Sequence, residues 1–460
     1  MRDLLLDLDF DVASRSGRRL AVEHALREAI RSGRLVNGTV LPSSRVLAID
    51  LDVSRSTVVA AYEQLNAEGF LDARPGSVTT VAFVRPDPDQ PLERDVMGST
   101  PAHDFRPGEP DTSAFPRTLW QRACRIVLTS APDAAFGYPD PRGTPALRAA
   151  LADHLARTRS VSAAPGSVRV FGGFASALGF LGEALRWMGV DRIATEDPMF
   201  AFHDDILRLA GLATEPVPVD AHGIDVEQLR ATGCRAVLVT PAHQYPLGVT
   251  MSPQRRADLV AWAREVDGWI IEDDYDGEFR YDRHPIGALQ ALAPERVAYA
   301  GTASKSLGAA LRLGWVVVPT GLDRDLFRVT HTRAGVSGIE QLVLAELIGR
   351  GDLDRHVRKM RNHYRRRRKQ VATMLADAAP WLDLTQASAG LHLCASINTT
   401  GPDEQHVLDA AQAAGIGLMG LRTHHRGRST QQGFAIGFSR PGEHHFPAAI
   451  EQLERLLAAY

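Results

Sequence analysis

Lysine is nearly missing from this chain. Of 52 basic residues only Lys305, Lys359 and Lys369 carry a primary amine, so any reaction that needs one has three candidates. Cysteine is equally scarce. Cys124, Cys234 and Cys394 are an odd number, far apart and without a CxxC pair, which excludes a disulfide scaffold and a cysteine-held metal and fits a reducing compartment. No metal ion is expected. Long apolar runs are absent too: the strongest, GWVVVP and AVLVTP, stop at about six residues, against the roughly 18 needed to cross a bilayer. The opening residues, MRDLLLDLDF, alternate Asp with Leu and lack the basic start and apolar core of a secretory signal. The expectation is a soluble, cytoplasmic protein with no membrane association.

What is present is close to the globular average: 460 residues, 44% hydrophobic and 23% charged, a length that predicts two to four domains. A net charge of −3 advertises no global attraction to nucleic acid, but the charges are uneven. Residues 12–85 hold ten Arg against seven acids, whereas the first eleven residues hold four Asp and one Arg.

Within residues 18–30 the apolar positions Leu20, Ala21, Ala25, Leu26, Ala29 and Ile30 recur at helical spacing and predict an amphipathic helix ending near Ser32-Gly33. A short second helix follows LPSS, with Ser43 or Ser44 as its cap, and Asp52-Val53-Ser54 makes a tight turn. Ser54 caps a third helix, residues 55–68, with Val58, Tyr62 and Leu65 as its apolar stripe. Beyond Gly69 the segment FLDARPGSVTTVAFV reads as a small hairpin. Helix, short helix, turn, helix and hairpin is the plan of a winged helix-turn-helix, whose third helix enters the major groove. Arg55, Ser56 and Thr57 at its start suit phosphates and base edges better than a core.

The run LPSSRVLAIDLDVSRSTVVAAYEQLNAEGFLDARPG resembles the N-terminal domain of the GntR family of bacterial regulators over residues 18–83. The resemblance implies operator DNA as a partner. The candidate contacts are Ser44, Arg45, Ser54, Arg55, Ser56 and Thr57, with Arg74 and Gly76 at the wing tip. Two residues depart from the family pattern. Asp52 stands where Gly is usual, and Asp tolerates the left-handed turn; Val78 replaces a second wing Gly.

These observations divide the chain into residues 1–84 for DNA binding, a Pro- and acid-rich linker at 85–103, and a third part at 104–460. In that third part strand-like runs at 168–171, 193–195, 236–240, 269–271, 297–300 and 313–318 alternate with helical stretches. The fold class is α/β, with a mainly parallel sheet and ligands expected at the carboxyl ends of its strands.

There lie the unusual residues. One strand runs into Glu272-Asp273-Asp274-Tyr275-Asp276, and another leads to Gly301-Thr302-Ala303-Ser304-Lys305, with Arg312 seven residues on. Lys359 and Lys369, in contrast, sit in a run with nine Lys or Arg between 355 and 369, which predicts a solvated basic helix. A lysine among hydroxyls and an arginine, across from a carboxylate and a phenol, is what pyridoxal phosphate requires: an amine to condense with its aldehyde, an acid for its ring nitrogen, and Ser, Thr and Arg for its phosphate. The run VFGGFASAL passes from a strand through two glycines into a helix. Free N–H groups there, at Phe174 and Ala175, can take a phosphate; alternatively the glycines merely ease a turn.

FRPGEPDTSAFP, FGYPDPRGTPALRAALADHL, EDPMF, TPAHQYPLGVTMSPQRR, IEDDYDGEFRY, GTASKSLGAALRLGW and RHVRKMR together resemble the MocR subfamily of GntR regulators, whose C-terminal domain is similar to a fold-type I aminotransferase. The resemblance implies a head-to-tail homodimer, a large subdomain at about 130–335, a small one at about 336–460, and pyridoxal phosphate on Lys305. It implies Asp273 at the ring nitrogen with Asp274 as the alternative, Tyr275 near the ring oxygen, Arg312, Thr302 and Ser304 at the phosphate, and Phe200 stacked on the ring. Asn is missing before Pro246, which leaves His243, Gln244 or Tyr275 for the ring oxygen. The arginine that aminotransferases use for the substrate carboxylate is missing from residues 434–438, where Arg422 and Arg440 lie nearby. The implied function is a DNA-binding transcription regulator that senses pyridoxal phosphate, an amine or an amino acid. A working aminotransferase with an accessory DNA-binding domain is the alternative.

Overall fold

The computed structural model describes residues 15–73, 77–82, 101–281, 286–333, 335–385, 389–427 and 431–460. The chain divides into two compact units, residues 1–98 and 99–460. Among the described residues no helix is long and apolar enough to cross a membrane.

The first unit holds α1 (Arg15–Arg31), α2 (Ser44–Asp50), α3 (Arg55–Ala67) and an antiparallel pair, β1 (Leu71–Asp72) and β2 (Thr80–Val81). Its core joins Leu26 and Ile30 to Val58, Tyr62 and Leu65. Leu20, expected in the apolar face of α1, is exposed, and Val22 is buried instead: 22, 26, 29 and 30 keep the three-to-four spacing that one buried face requires. Ser43, not Ser44, caps α2, and Ser54 caps α3. Between them Asp52 adopts φ +50, the left-handed geometry in which glycine is otherwise favoured. The wing-tip residues Arg74 and Gly76, and most of the 85–103 linker, lie outside the described residues.

The second unit begins with β3 (His103–Asp104), followed by α4 (Arg117–Ser130) and α5 (Pro145–Arg159). Then come β4 (Val168–Phe171), α6 (Phe174–Trp187), β5 (Arg192–Asp197), α7 (Ala201–Leu209), β6 (Ala213–Asp220), β7 (Gly223–Ile224), α8 (Val226–Thr232), β8 (Ala236–Val239) and α9 (Pro253–Glu265). β9 (Trp269–Asp273), β10 (Val297–Thr302), β11 (Gly314–Val317) and α10 (Thr320–Thr330) complete an eight-stranded sheet in the order β4-β11-β10-β9-β8-β5-β6-β7. β10, β9, β8, β5 and β6 run parallel; β11 is antiparallel to both its neighbours. The six expected strands are present. β6 was not expected, because Pro216 and Pro218 break its pattern; it is tolerated toward the sheet's edge, where its outer neighbour is the two-residue β7.

Strand alternation assigns the faces. Ile271 packs with Leu178 and Leu181 of α6 and Leu326 of α10, whereas Ile270 packs with Leu229 of α8 and Leu259 and Trp262 of α9. Asp273, two residues beyond Ile271, therefore points to the α6 face.

The rest comprises α11 (Gly338–Gly349), the long α12 (Asp352–Ala378), β12 (Leu382–Leu384), β13 (His392–Ile397), α13 (Glu404–Ala413), β14 (Ile416–Gly417), β15 (Met419–Gly420), β16 (Gly433–Gly437) and α14 (Phe446–Leu457). β12, β13, β16 and β15 form an antiparallel sheet. β3 pairs with β14, and the Gly437 N–H donates to Phe105 O at 2.6 Å, which fixes the path of residues 103–109. The expected solvated basic helix needs correction. Most of its cations are exposed, but Arg367 is buried, paired with Asp111 (3.0 Å) and Glu443 (3.2 Å), and donates to the carbonyls of Phe438, Ser439 and Pro441. At that position the helix packs on Asp111 and on residues 438–443, so burial there demands compensated charge.

Candidate functional site

β9 and β10 are parallel neighbours with Asp273 opposite Ala300, so the loops leaving their carboxyl ends emerge at one edge of the sheet. Asp273, Tyr275, Thr302, Ser304 and Lys305 line a single cavity of about 370 Å³ there. Phe174 and Ala175 from the start of α6, Phe200 before α7, and Arg312 after β10 line it too.

Lys305 Nζ donates to the carbonyl of Gly108. Burial lowers its pKa, opposed by the charges of Asp273 and Asp276. Asp273 is buried, Oδ1 has no hydrogen-bond partner, and desolvation holds its pKa well above the ordinary value, with Lys305 opposing. A deeply buried carboxyl with an orphaned oxygen is costly unless something arrives to pair with it. Asp274 looks the other way: its carboxylate accepts two bonds from buried Arg159 (2.6 and 2.9 Å) and one from Tyr299 Oη (2.7 Å).

Gly173, also in the lining, has φ +95, and a Cβ there would stand 3.6 Å from the Arg312 guanidinium. Gly314 has less room still, since its Cβ would meet Gly173 Cα at 2.9 Å. The two glycines let the start of α6 come against Arg312. No side chain caps α6, so its first N–H groups face Arg312 as an anion cradle. Thr302 Oγ1 and Ser304 Oγ are 2.9 Å apart beside it.

His243 does not line the cavity; it stands behind Tyr275. Tyr275 Oη donates to His243 O at 3.1 Å and lies 3.0 Å from Nδ1, which is 2.9 Å from Asp276 Oδ2. Gln244 is turned toward Glu196 (3.3 Å) and Pro198 O (2.7 Å), so of the three residues weighed for the ring oxygen Tyr275 alone reaches the cavity. Arg422 pairs with Asp403 at 3.1 Å, outside the cavity, and Arg440 is held between Asp104 (2.6 Å) and Glu109 (2.9 Å).

Five lining residues have no role assigned from the sequence: Glu109, Glu196 and Tyr245, which lie inside FRPGEPDTSAFP, EDPMF and TPAHQYPLGVTMSPQRR, and His203 and His392, which lie outside the quoted motifs. Burial pushes the Glu196 carboxyl up to about 7 and His203 down to about 3, and holds His392 well below its ordinary value. Glu196 lies at the end of β5 as Asp273 lies at the end of β9, so the strand-end argument applied there would have found it. His203 lies three residues after Phe200, one helical turn along α7.

In the first unit, Ser54 Oγ accepts the Thr57 N–H at 3.1 Å and lies within 2.8 Å of the hydroxyls of Ser56 and Thr57. Arg55 Nε reaches Ser44 Oγ at 3.5 Å, bringing together the starts of α2 and α3. Arg45, Arg55 and Ser56 are exposed. Two converging helix N-termini with two exposed guanidinium groups form a surface suited to phosphates.

The residues present fit pyridoxal phosphate: an orphaned buried acid for the ring nitrogen, a lysine amine in the same cavity, and a cradle that glycines keep open. Residues 108–412 match the aminotransferase class I and II family, and residues 18–81 match the gntR family of bacterial regulatory proteins. The chain is 34% identical to the probable rhizopine catabolism regulatory protein MocR of Rhizobium meliloti, over 95% of this chain and 92% of that one. It is 32% identical to the pyridoxine biosynthesis transcriptional regulator PdxR of Corynebacterium glutamicum, over 91% of each. An archaeal alanine:glyoxylate aminotransferase superposes with a TM-score of 0.71 at 26% identity, covering 79% of this chain and 92% of that one.

Proposed function

The chain belongs to the MocR type of gntR regulators, which join a helix-turn-helix domain to an aminotransferase class I and II domain, and we propose that its larger unit senses pyridoxal phosphate or an amine and its smaller unit answers on operator DNA. It is a pyridoxal-phosphate-dependent transcription regulator. One observation carries the sensing role: the cavity has a lysine, an acid and a phosphate cradle, while the two arginines weighed for a substrate carboxylate, Arg422 and Arg440, are absent from its lining and are paired with carboxylates. Holding an amino acid in geometry for repeated turnover needs such an arginine free.

When bound, pyridoxal phosphate supplies an aldehyde and an electron-withdrawing ring. In this reading Lys305 provides the amine, and burial favours its uncharged, nucleophilic form. Asp273 holds a proton at the ring nitrogen, Tyr275 orients the ring oxygen with His243 and Asp276 behind it, and Phe200 covers the ring. Arg312, Thr302, Ser304 and the N–H groups of Phe174 and Ala175 take the phosphate. Arg45, Arg55, Ser56 and Thr57, with Ser44 and Ser54 at the two helix starts, meet operator DNA. Arg74 and Gly76 of the wing complete that set.

A head-to-tail homodimer is part of the proposal. Phe136 and Tyr138 are exposed on the segment between α4 and α5, with Leu128 of α4 nearby in sequence, an apolar run that suits burial against a second copy. A ligand regulates only by favouring one arrangement of that assembly. The test is binding to the DNA flanking the gene, by fluorescence anisotropy, with and without pyridoxal phosphate and candidate amines. A several-fold change in affinity is expected; identical affinity under all conditions contradicts sensing. A steady-state assay with amino donor and keto acid showing turnover at ordinary enzyme rates would favour the working aminotransferase.

A further inference from the structure

We propose that the effector is a short primary amine bearing a second positive charge, of the diamine class, and that Glu109 selects it. The inference rests on pyridoxal phosphate occupying the cavity. The lining carries three acids, Glu109, Glu196 and Asp273, against two cations, Lys305 and Arg312. The cofactor engages Lys305, Arg312 and Asp273, and Glu196 is buried, accepts from Thr240 and Gln244 and is pushed up to about 7, which leaves Glu109 as the carboxylate facing whatever enters next. His203 and His392 add no positive charge, because burial keeps both rings neutral near pH 7.

Nothing cationic among the described lining residues is then left for a carboxylate. Arg440 is the nearest candidate, and it is already paired, with Glu109 at 2.9 Å and with Asp104 at 2.6 Å, an acid it shares with Arg106 at 2.7 Å. An α- or ω-carboxylate would meet Glu109 with like charge. A cation meets the opposite situation. Glu109 can turn to it while Arg440 keeps Asp104. Tyr245, which the cofactor leaves free, lines the same cavity, and its ring can meet a positive group. The geometry also limits length. Lys305 Nζ bonds the carbonyl of Gly108, and Glu109 is the next residue, so only a few carbons separate the reacting nitrogen from the second charge.

The test uses the full-length protein loaded with pyridoxal phosphate, titrated with 1,4-diaminobutane, butylamine and 4-aminobutanoate while the cofactor's visible absorbance is followed. The diamine should half-saturate at a concentration about tenfold below butylamine, the equivalent of one added ionic or cation–π contact, and 4-aminobutanoate should be weakest. Glu109→Gln should bring the diamine and butylamine together, and Glu109→Arg should move the preference toward 4-aminobutanoate. Because the ratio is taken within each protein, a general change in cofactor affinity cancels. A wild-type preference for 4-aminobutanoate, an unchanged ratio in Glu109→Gln, or a loaded protein whose spectrum no amine alters each overturns the proposal. A protein that shows no visible band before any amine is added fails earlier, at pyridoxal phosphate itself, and the proposal falls with it.

Discussion

Arg159 grips Asp274 through two bonds of 2.6 and 2.9 Å, while the adjacent Asp273 keeps an oxygen with no partner. Neighbouring acids on one strand end thus have opposite tasks, one holding the fold together and the other waiting for a ligand. Asp274→Asn should leave buried Arg159 uncompensated and cost about 3–5 kcal/mol of stability. Asp273→Asn should leave the unliganded protein as stable as the wild type or more so, because it removes an unpaired buried acid. Denaturant unfolding of both variants in the absence of cofactor checks the contrast; equal losses would mean the two acids are equivalent.

Lys305 is the one lysine placed in the cavity. Lys305→Ala should abolish the visible band formed on adding pyridoxal phosphate and the mass increase that borohydride reduction fixes at that residue. Lys359→Ala should change neither, since Lys359 is exposed on α12. A band that survives Lys305→Ala would move the amine elsewhere.

Much of this is legible in the chain because the chemistry is punctuated by strand ends: Trp269-Ile270-Ile271 ahead of the acids and Val297 to Ala300 ahead of Lys305 announce both strand and site. Choosing between Asp273 and Asp274 is not possible from spacing. It depends on Arg159, 115 residues earlier, which claims one of them. Glu109 stands inside FRPGEPDTSAFP, but its role is not legible there, for a related reason. Its place beside Lys305 follows from β3 pairing with β14 across some 300 residues, a contact without a local pattern. Arg367 is misread because a run of arginines looks the same whether or not one of them meets Asp111.

Glu196 should give the cofactor-free protein a distinctive pH response. Its carboxyl is buried and pushed up from 4.5 to about 7, so between those values the folded state keeps a proton that the unfolded chain has released. The unfolded state then binds fewer protons, and stability falls as pH rises through that window, levelling off above about 7. The contribution is at most about 3 kcal/mol. Glu272, also raised to about 7 by burial, adds a decline of the same sign. Buried His203 and His392, whose lowered pKa values make stability rise with pH up to about 6.5, act with the opposite sign. The check is therefore the difference between Glu196→Gln and the wild type in urea unfolding across pH 5–7.5, which should shift in the variant's favour as pH rises. An unchanged slope would place the Glu196 proton elsewhere.

Arg55 is exposed at the start of α3, with Ser44 Oγ 3.5 Å from its Nε, so its guanidinium is free to leave the protein surface for DNA at little cost. Arg55→Ala should weaken operator binding by about 1–3 kcal/mol if it reads a base edge. If it meets only a phosphate, the loss should be uniform across sequences and the salt slope should fall by about 0.9. Anisotropy titrations on specific and random duplexes at several salt concentrations separate the two. The cofactor spectrum should not change, since Arg55 belongs to the other compact unit. Ser54→Ala acts differently: it removes the cap that accepts the Thr57 N–H, costing about 1 kcal/mol of stability in the first unit before any DNA is present. Full operator affinity in Arg55→Ala would remove the start of α3 from the DNA interface and leave the start of α2 and the wing to account for binding.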